Sequence, residues 1–163
     1  MTDSRPTLYL ICGKIAAGKS TLAARLAARP LTVPIAEDRW NATLFPDEIR
    51  TLEDYSKYSS RLRQAMGPHV VALLRAGVSV VLDFQANTPR VRGWMKTLVE
   101  QSGARHELHF LDVPDETCRQ RLRARNAAGE HPYRVSDAEF DLFTKHFVAP
   151  GADEGFDVIV HRA

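Results

Sequence analysis

Between a continuous apolar run and an alanine-rich helical pattern, residues 11–28 (ICGKIAAGKSTLAARLAA) set two glycines, two lysines and a pair of hydroxyls. Gly13 to Ser20 satisfies the spacing G-x-x-x-x-G-K-S. Glycines at a strand-to-helix junction let backbone N–H groups converge on concentrated negative charge without side chains crowding it. The helix that follows turns its unpaired amides and its positive end the same way. That is the chemistry of holding a nucleotide's phosphates. In this reading Gly13, Lys14, Ala16, Ala17 and Gly18 form the cradle, and Lys19 reaches the β- and γ-phosphates. Ser20 ligates Mg²⁺, and Thr21 joins it in the first turn of the helix. ATP and Mg²⁺ are the expected cofactors. The competing reading, a glycine-rich turn that only caps a helix, fits the flanking pattern less well.

Three more polar clusters matter. In IAEDRWN (35–41), Glu37, Asp38 and Arg39 follow an apolar run. A carboxylate there can accept the proton of an attacking hydroxyl or help position Mg²⁺. Its competing role is to cap a short helix beginning near Trp40. Glu37 and Arg39 read as solvated neighbours. In VVLDFQANTPR (80–90), Asp83 ends a strand too apolar to leave a carboxylate unpartnered, and a Mg²⁺ shell reached through a water from Ser20 is the expected partner. Gln85 and Asn87 either touch an acceptor or satisfy loop backbone.

CRQRLRARN (118–126) carries Arg119, Arg121, Arg123 and Arg125. On a helix, Arg121 and Arg125 share one face and Leu122 turns to the core. The segment reads as a lid over about residues 119–136 that closes on the phosphates, one guanidinium neutralising charge in the transition state; a merely solvated face is the alternative. Arg134 is a second candidate on that lid. RVRGWMK (90–96) mixes basic residues with an aromatic, as nucleic-acid surfaces do. Helical spacing instead turns Trp94 inward and leaves Arg90, Arg92 and Lys96 in solvent.

The elements that must position these residues follow from periodicity. TLYLIC (7–12) predicts a strand buried on both faces, followed by a helix over 19–28. TVPIA (32–36) is a short strand. Leu62, Met66, Val70, Leu73 and Leu74 lie at helical spacing within 60–77, with a possible kink at Gly67-Pro68 and a stop at Gly77. Further strands are expected over 78–84, 106–113 and 155–160. Thr88 and Pro89 cap and start a helix carrying Trp94, Met95 and Leu98. A helix covers 114–126. Ser136 with Glu139 makes a capping box for one carrying Phe140, Phe143 and Phe147. This alternation predicts α/β architecture: a five-stranded parallel sheet, helices on both faces, and ligands at the carboxyl ends of the strands. With no repeat, linker or low-complexity tract, residues 1–163 read as one domain.

The chain has 163 residues, 44% apolar and 26% charged, with a formal charge of +2. That charge is too small to argue for nucleic acid or membrane. No apolar run approaches the ~20 residues that span a bilayer, and no leader pattern opens the sequence, so a cytoplasmic location is expected. Cys12 and Cys118 read as isolated buried thiols, and the six histidines form no metal spacing.

With GKIAAGKS, EDRW, VLDFQANT and RQRLRARN in view, nearly the whole chain resembles the small P-loop kinases. These include gluconate kinase, chloramphenicol phosphotransferase, the zeta toxins and the kinase domain of polynucleotide 5′-kinases; the AAA-type P-loop kinases are most similar. The resemblance implies a general base at Asp38, a lid arginine on the transferring phosphate at Arg125, and a nucleotide contact at Arg121. Polynucleotide kinases carry a further arginine shortly after the base, where this chain has Asn41.

The expected activity is transfer of a phosphoryl group from ATP to a hydroxyl of a small molecule: a sugar, a nucleoside or nucleotide, or an antibiotic. Phe45, Tyr55, Tyr58 and Met66 are expected to wall its pocket. The alternatives are a polynucleotide 5′-hydroxyl kinase and a nucleotide-dependent switch without a small acceptor.

Overall fold

A computed structural model of the chain describes residues 4–129 and 134–162. Strand β1 (Thr7–Gly13) is buried along its whole length. Its alternate side chains divide the core. Leu8, Leu10 and Cys12 pack with one set of helices, and Tyr9 and Ile11 with another. A strand sandwiched this way cannot show polar alternation, which is why its sequence is continuously apolar.

Around β1 lie β2 (Thr32–Ala36), β3 (Ser79–Asp83), β4 (Arg105–Asp112) and β5 (Val158–Arg162), in the order β2-β3-β1-β4-β5, all parallel. The expected five-stranded parallel sheet is the one found. The β2–β3 register pairs Ala36 with Asp83. Glu37 and Asp38 therefore emerge beside Asp83, at the same end of the sheet as Gly13. Pro34 is tolerated because β2 is an edge strand, where a missing N–H costs no ladder bond.

The helices are α1 (Lys19–Ala27), α2 (Glu37–Leu44), α3 (Leu52–Arg75), α4 (Pro89–Ser102), α5 (Asp115–Ala128) and α6 (Asp137–His146). Thr88 caps α4, Gly103 ends it in the left-handed region at φ 68°, and Ser136 with Glu139 boxes α6. The Thr88 and Ser136–Glu139 signals were legible in the sequence. Some boundaries differ. Helix α3 starts at Leu52, eight residues before the expected start at 60, because Thr51 and Asp54 form a reciprocal capping box. It continues through Pro68, with Gly67 lying against Trp94. Strand β5 begins at Val158 rather than 155, since Gly155 turns left-handed at φ 78° after a single 3₁₀ turn over Ala152–Glu154.

Candidate functional site

Gly13 closes β1 and Lys19 opens α1, so residues 14–18 must turn from strand to helix in five positions. Ala16 takes φ 63° and Gly18, the residue before the helix, φ 107°. Only glycine adopts the second without strain. The amide of Gly13 donates to Asn87 Oδ1 at 3.0 Å, fixing the start of the loop to the β3–α4 connection. Of the two roles open to Asn87 from sequence, it performs the backbone one; it also lines the neighbouring cavity.

Lys19 folds over the loop, its ammonium donating to the carbonyls of Gly13 and Lys14 at 2.8 Å each. Burial pushes it below the ordinary lysine value, and Asp83 and then Asp38 pull it back. Both acids thus act on the same ammonium. Ser20 and Thr21 stand exposed in the first turn of α1.

Asp38 is the second residue of α2 and not its N-cap; the helix begins at Glu37, with Ala36 before it and no side-chain cap. The capping role is therefore excluded. Asp38 sits in the first turn of α2, at the positive end of the helix dipole. Its field also reaches Arg125 and opposes the lowering that burial imposes on that guanidinium.

The four arginines of α5 divide by helical period. Arg119 pairs with Asp141 at 2.7 Å and Arg123 with Asp137 at 3.1 Å, tying α5 to α6. Arg121 and Arg125 lie toward the loop. Arg121 Nη1 donates to the Ala17 carbonyl at 3.2 Å. Arg125 is half-buried and its Nε, shut off from solvent, has no hydrogen-bond partner. A buried guanidinium nitrogen without a partner is costly unless an anion joins it. Arg134 is exposed. The expected lid includes residues 130–133, which lie outside the described residues.

Two residues read as solvated are not. Glu37 is 3% exposed. Its carboxylate accepts the Tyr55 hydroxyl at 2.7 Å and faces Arg63 at 3.8 Å; burial raises it to about 7 although Tyr55 pulls the other way. Arg92 is fully buried. It pairs with Glu154 at 2.7 Å and donates to the carbonyls of Ala86, Val148 and Ala149, binding the β3–α4 connection to the segment after α6. The signal for Arg92 was present: it precedes Met95 by three and Leu98 by six, on the buried face. Trp94 does turn inward, stacked on Phe84 at 6.0 Å.

Beside the loop is a cavity of about 640 Å³, lined from the loop by Lys14 and Ile15, with Glu37 in its wall. Helix α3 contributes Tyr55 and Arg63, and α6 closes over it with Phe143, whose ring meets Tyr55 edge-on at 5.9 Å. Of the four residues expected to wall such a pocket, only Tyr55 does. Phe45, just past the end of α2, and Tyr58 meet each other in a tilted pair at 4.5 Å, and Met66 belongs to the core. Asn41 is fully buried and donates to Ser59 Oγ at 3.1 Å. Cys12 and Cys118 are buried free thiols, Cys12 pushed up to about 11 by burial, and neither is a nucleophile at neutral pH. Among the described residues no cluster of His, Cys, Asp and Glu has metal-binding spacing, and no helix is long and apolar enough to cross a membrane.

A parallel sheet with a glycine-lysine-serine loop after its central strand, acids at two neighbouring strand ends and arginines on a helix above defines the kinase-like P-loop fold. Residues 8–150 match the family AAA_33, described as an AAA domain, and the chain belongs to it. No curated protein matches by sequence. Among solved structures, a candidate kinase from Chloroflexus aurantiacus is similar with a TM-score of 0.77 at 17% identity, over 97% of this chain and 85% of that one. The APS kinase of Mycobacterium tuberculosis, solved with AMPPNP and APS, gives 0.65 at 18% identity, over 97% and 88%. A gluconokinase from Sinorhizobium meliloti gives 0.61 at 15%, over 98% and 84%.

Proposed function

We propose that the protein is an ATP-dependent kinase that transfers the γ-phosphoryl group of ATP to a hydroxyl of a small molecule. The observation that carries this reading is the convergence of Lys19, Asp38, Asp83 and Arg125 on one loop end, each acting on another's charge. Phosphoryl transfer asks for positioning and charge neutralisation more than covalent help, and those are the groups supplied.

The loop of Gly13, Lys14, Ala16, Ala17 and Gly18 cradles the phosphates, the Gly13 amide staying on Asn87 to anchor its start, and Lys19 exchanges its two carbonyl acceptors for phosphate oxygens. Ser20 and Asp83 hold Mg²⁺, with Thr21 supporting the turn; when bound, the ion supplies positive charge to the β- and γ-phosphate oxygens. Asp38 accepts the proton of the acceptor hydroxyl. The new oxygen–phosphorus bond forms as the bond from the γ-phosphorus to the bridging oxygen breaks, and ADP leaves with that electron pair. Arg125 brings its unpartnered Nε to the moving phosphoryl group, and Arg121 holds the nucleotide over the loop. The two buried free thiols suit a reducing, cytoplasmic setting.

A polynucleotide acceptor has less support. Arg92, one of the bases that suggested a nucleic-acid surface, is buried in an ion pair, and the position expected to bear an arginine holds the buried Asn41. Label transfer from γ-labelled ATP to pooled metabolites and antibiotics tests the reading. Acceptor-dependent ADP release is expected. Turnover that no acceptor accelerates, together with nucleotide-dependent binding to another protein, favours a switch instead.

A further inference from the structure

The cavity beside the loop carries more positive charge than its two carboxylates cancel. Four cationic side chains line it: Lys14 from the loop, Lys57 and Arg63 from α3, and Arg90 from α4. Against them stand Glu37 and Glu53, with His146 also in the wall. The four cations are not equivalent. Lys14 is held by Asp115 and the Val113 carbonyl, and Lys57 lies over the Tyr58 ring at 5.4 Å. Arg63 meets Glu37 Oε2 only at 3.8 Å, beyond a direct hydrogen bond, while Tyr55 donates to Oε1. Arg90 has no ion-pair or hydrogen-bond partner among the described residues.

The start of α4 adds to this. Thr88 Oγ1 accepts the amide of Val91 at 3.3 Å, and Pro89 has no N–H, so the Arg90 amide is the free donor of the first turn. Thr88, Arg90 and Val91 all line the cavity, so the positive end of a 14-residue helix opens onto it. The Glu37 carboxyl, raised to about 7, contributes at most a fractional negative charge near neutrality. Phe143 and Phe147 add apolar surface to the same lining, with the Lys14 ammonium 5.8 Å from the Phe147 ring centroid. Two guanidiniums from different helices facing one cavity suit planar or tetrahedral oxyanions, which such forks grip in pairs of hydrogen bonds.

We infer that the acceptor of this kinase carries an anionic oxygen group, a carboxylate, sulfate or phosphate, gripped between Arg90 and Arg63 while its body rests on Phe143 and Phe147. This rests on the kinase reading above, because it takes the cavity as the acceptor site. It narrows the small molecules in play to acidic ones, and a neutral sugar or neutral antibiotic falls outside it.

The test uses the full chain and isothermal titration. AMPPNP with Mg²⁺ is added first, so that the loop is filled and cannot itself take an anion. Phosphate, sulfate and acetate are then titrated separately, whether or not the nucleotide has given heat. At least one is expected to bind saturably in the millimolar range. Arg90→Ala and Arg63→Ala should each weaken it by about tenfold or more, the usual worth of a charge-assisted hydrogen bond. Arg61→Ala removes the same charge from α3 without touching the cavity and should change nothing. Nucleotide heat with no anion heat, or anion heat indifferent to Arg90, overturns the inference and leaves the kinase reading standing. Absence of nucleotide heat with Arg90-dependent anion heat overturns the kinase reading, and with it the assignment of the anion to an acceptor, while the anion site itself remains. A 5′-hydroxyl oligonucleotide that displaces the anion, with affinity falling steeply in salt, moves the acceptor to nucleic acid and also overturns it.

Discussion

The phosphate loop and the cavity beside it are built on opposite principles. The loop is contiguous: eight residues, with one strand before and one helix after. The cavity is assembled from α3, α4, α6 and the loop itself, and its polar side chains come from positions far apart in the chain. In the loop, chemistry is fixed by spacing and tolerates little change. In the cavity, an exposed lining side chain such as Arg90 can be exchanged while the frame stays. A family can therefore keep its nucleotide site and vary its acceptor.

Substitutions at the junction of the two regions should cost most. Arg125→Ala is expected to lower turnover by about 10³–10⁵-fold, the range for an arginine acting on a transferring phosphoryl group, with nucleotide affinity little changed. A loss below tenfold in steady-state assays would return Arg125 to the solvated face of α5. Asp38→Asn should follow at about 10²–10⁴-fold, as for loss of a general base. Unchanged ATP affinity with lost acceptor turnover would place Asp38 on the acceptor side of the boundary, whereas unchanged turnover removes it from the mechanism.

The frame itself can be broken one residue away from the cavity wall. Arg92→Met strands Glu154 and three carbonyls, and should lower the unfolding free energy by about 3–5 kcal/mol in urea titrations, as when one partner of a buried ion pair is removed. Arg90→Met, on the exposed side of the same turn, should leave stability near that of the parent. Similar losses in both would deny the distinction between frame and lining.

Glu37 gives the smallest effect and the most specific one. Its carboxyl is raised from 4.5 to about 7 by burial, so between those values the folded chain holds more protons than the unfolded one. Stability contributed by the protonated form is complete below about pH 4.5 and declines as pH rises through about 7. At 1.36 kcal/mol per unit the decline amounts to roughly 3 kcal/mol. Glu37→Gln should flatten it, and parallel pH–stability curves for the two proteins would show Glu37 to be solvated after all.

How much of this the sequence disclosed follows the same division. Gly13 to Ser20 was legible because its geometry is local, and Thr88, Ser136 and Glu139 for the same reason: caps are read from neighbours. Asp83 was legible as an acid ending an apolar strand. Glu37 was missed because its burial depends on Tyr55, which lies 18 residues later on another helix. Arg92 was missed although its spacing was right, because a charged residue on a buried face is expected only when its partner is known, and Glu154 lies 62 residues away. The cavity's lining escaped in part for a further reason. Phe45, Tyr58 and Met66 have the right composition for a pocket, but the face that α3 turns to α6 selects Tyr55 and Arg63 instead.

The central claim is that the turn over residues 13–20 holds a nucleotide's phosphates with Lys19 completing the cage, and calorimetric titration of the protein with ATP and Mg²⁺ tests it most directly. Saturable heat at submillimolar ATP, abolished by Lys19→Ala in a variant that still unfolds cooperatively, is the predicted result. The absence of heat from the parent protein at millimolar ATP or GTP, or equal heat from Lys19→Ala, would contradict it.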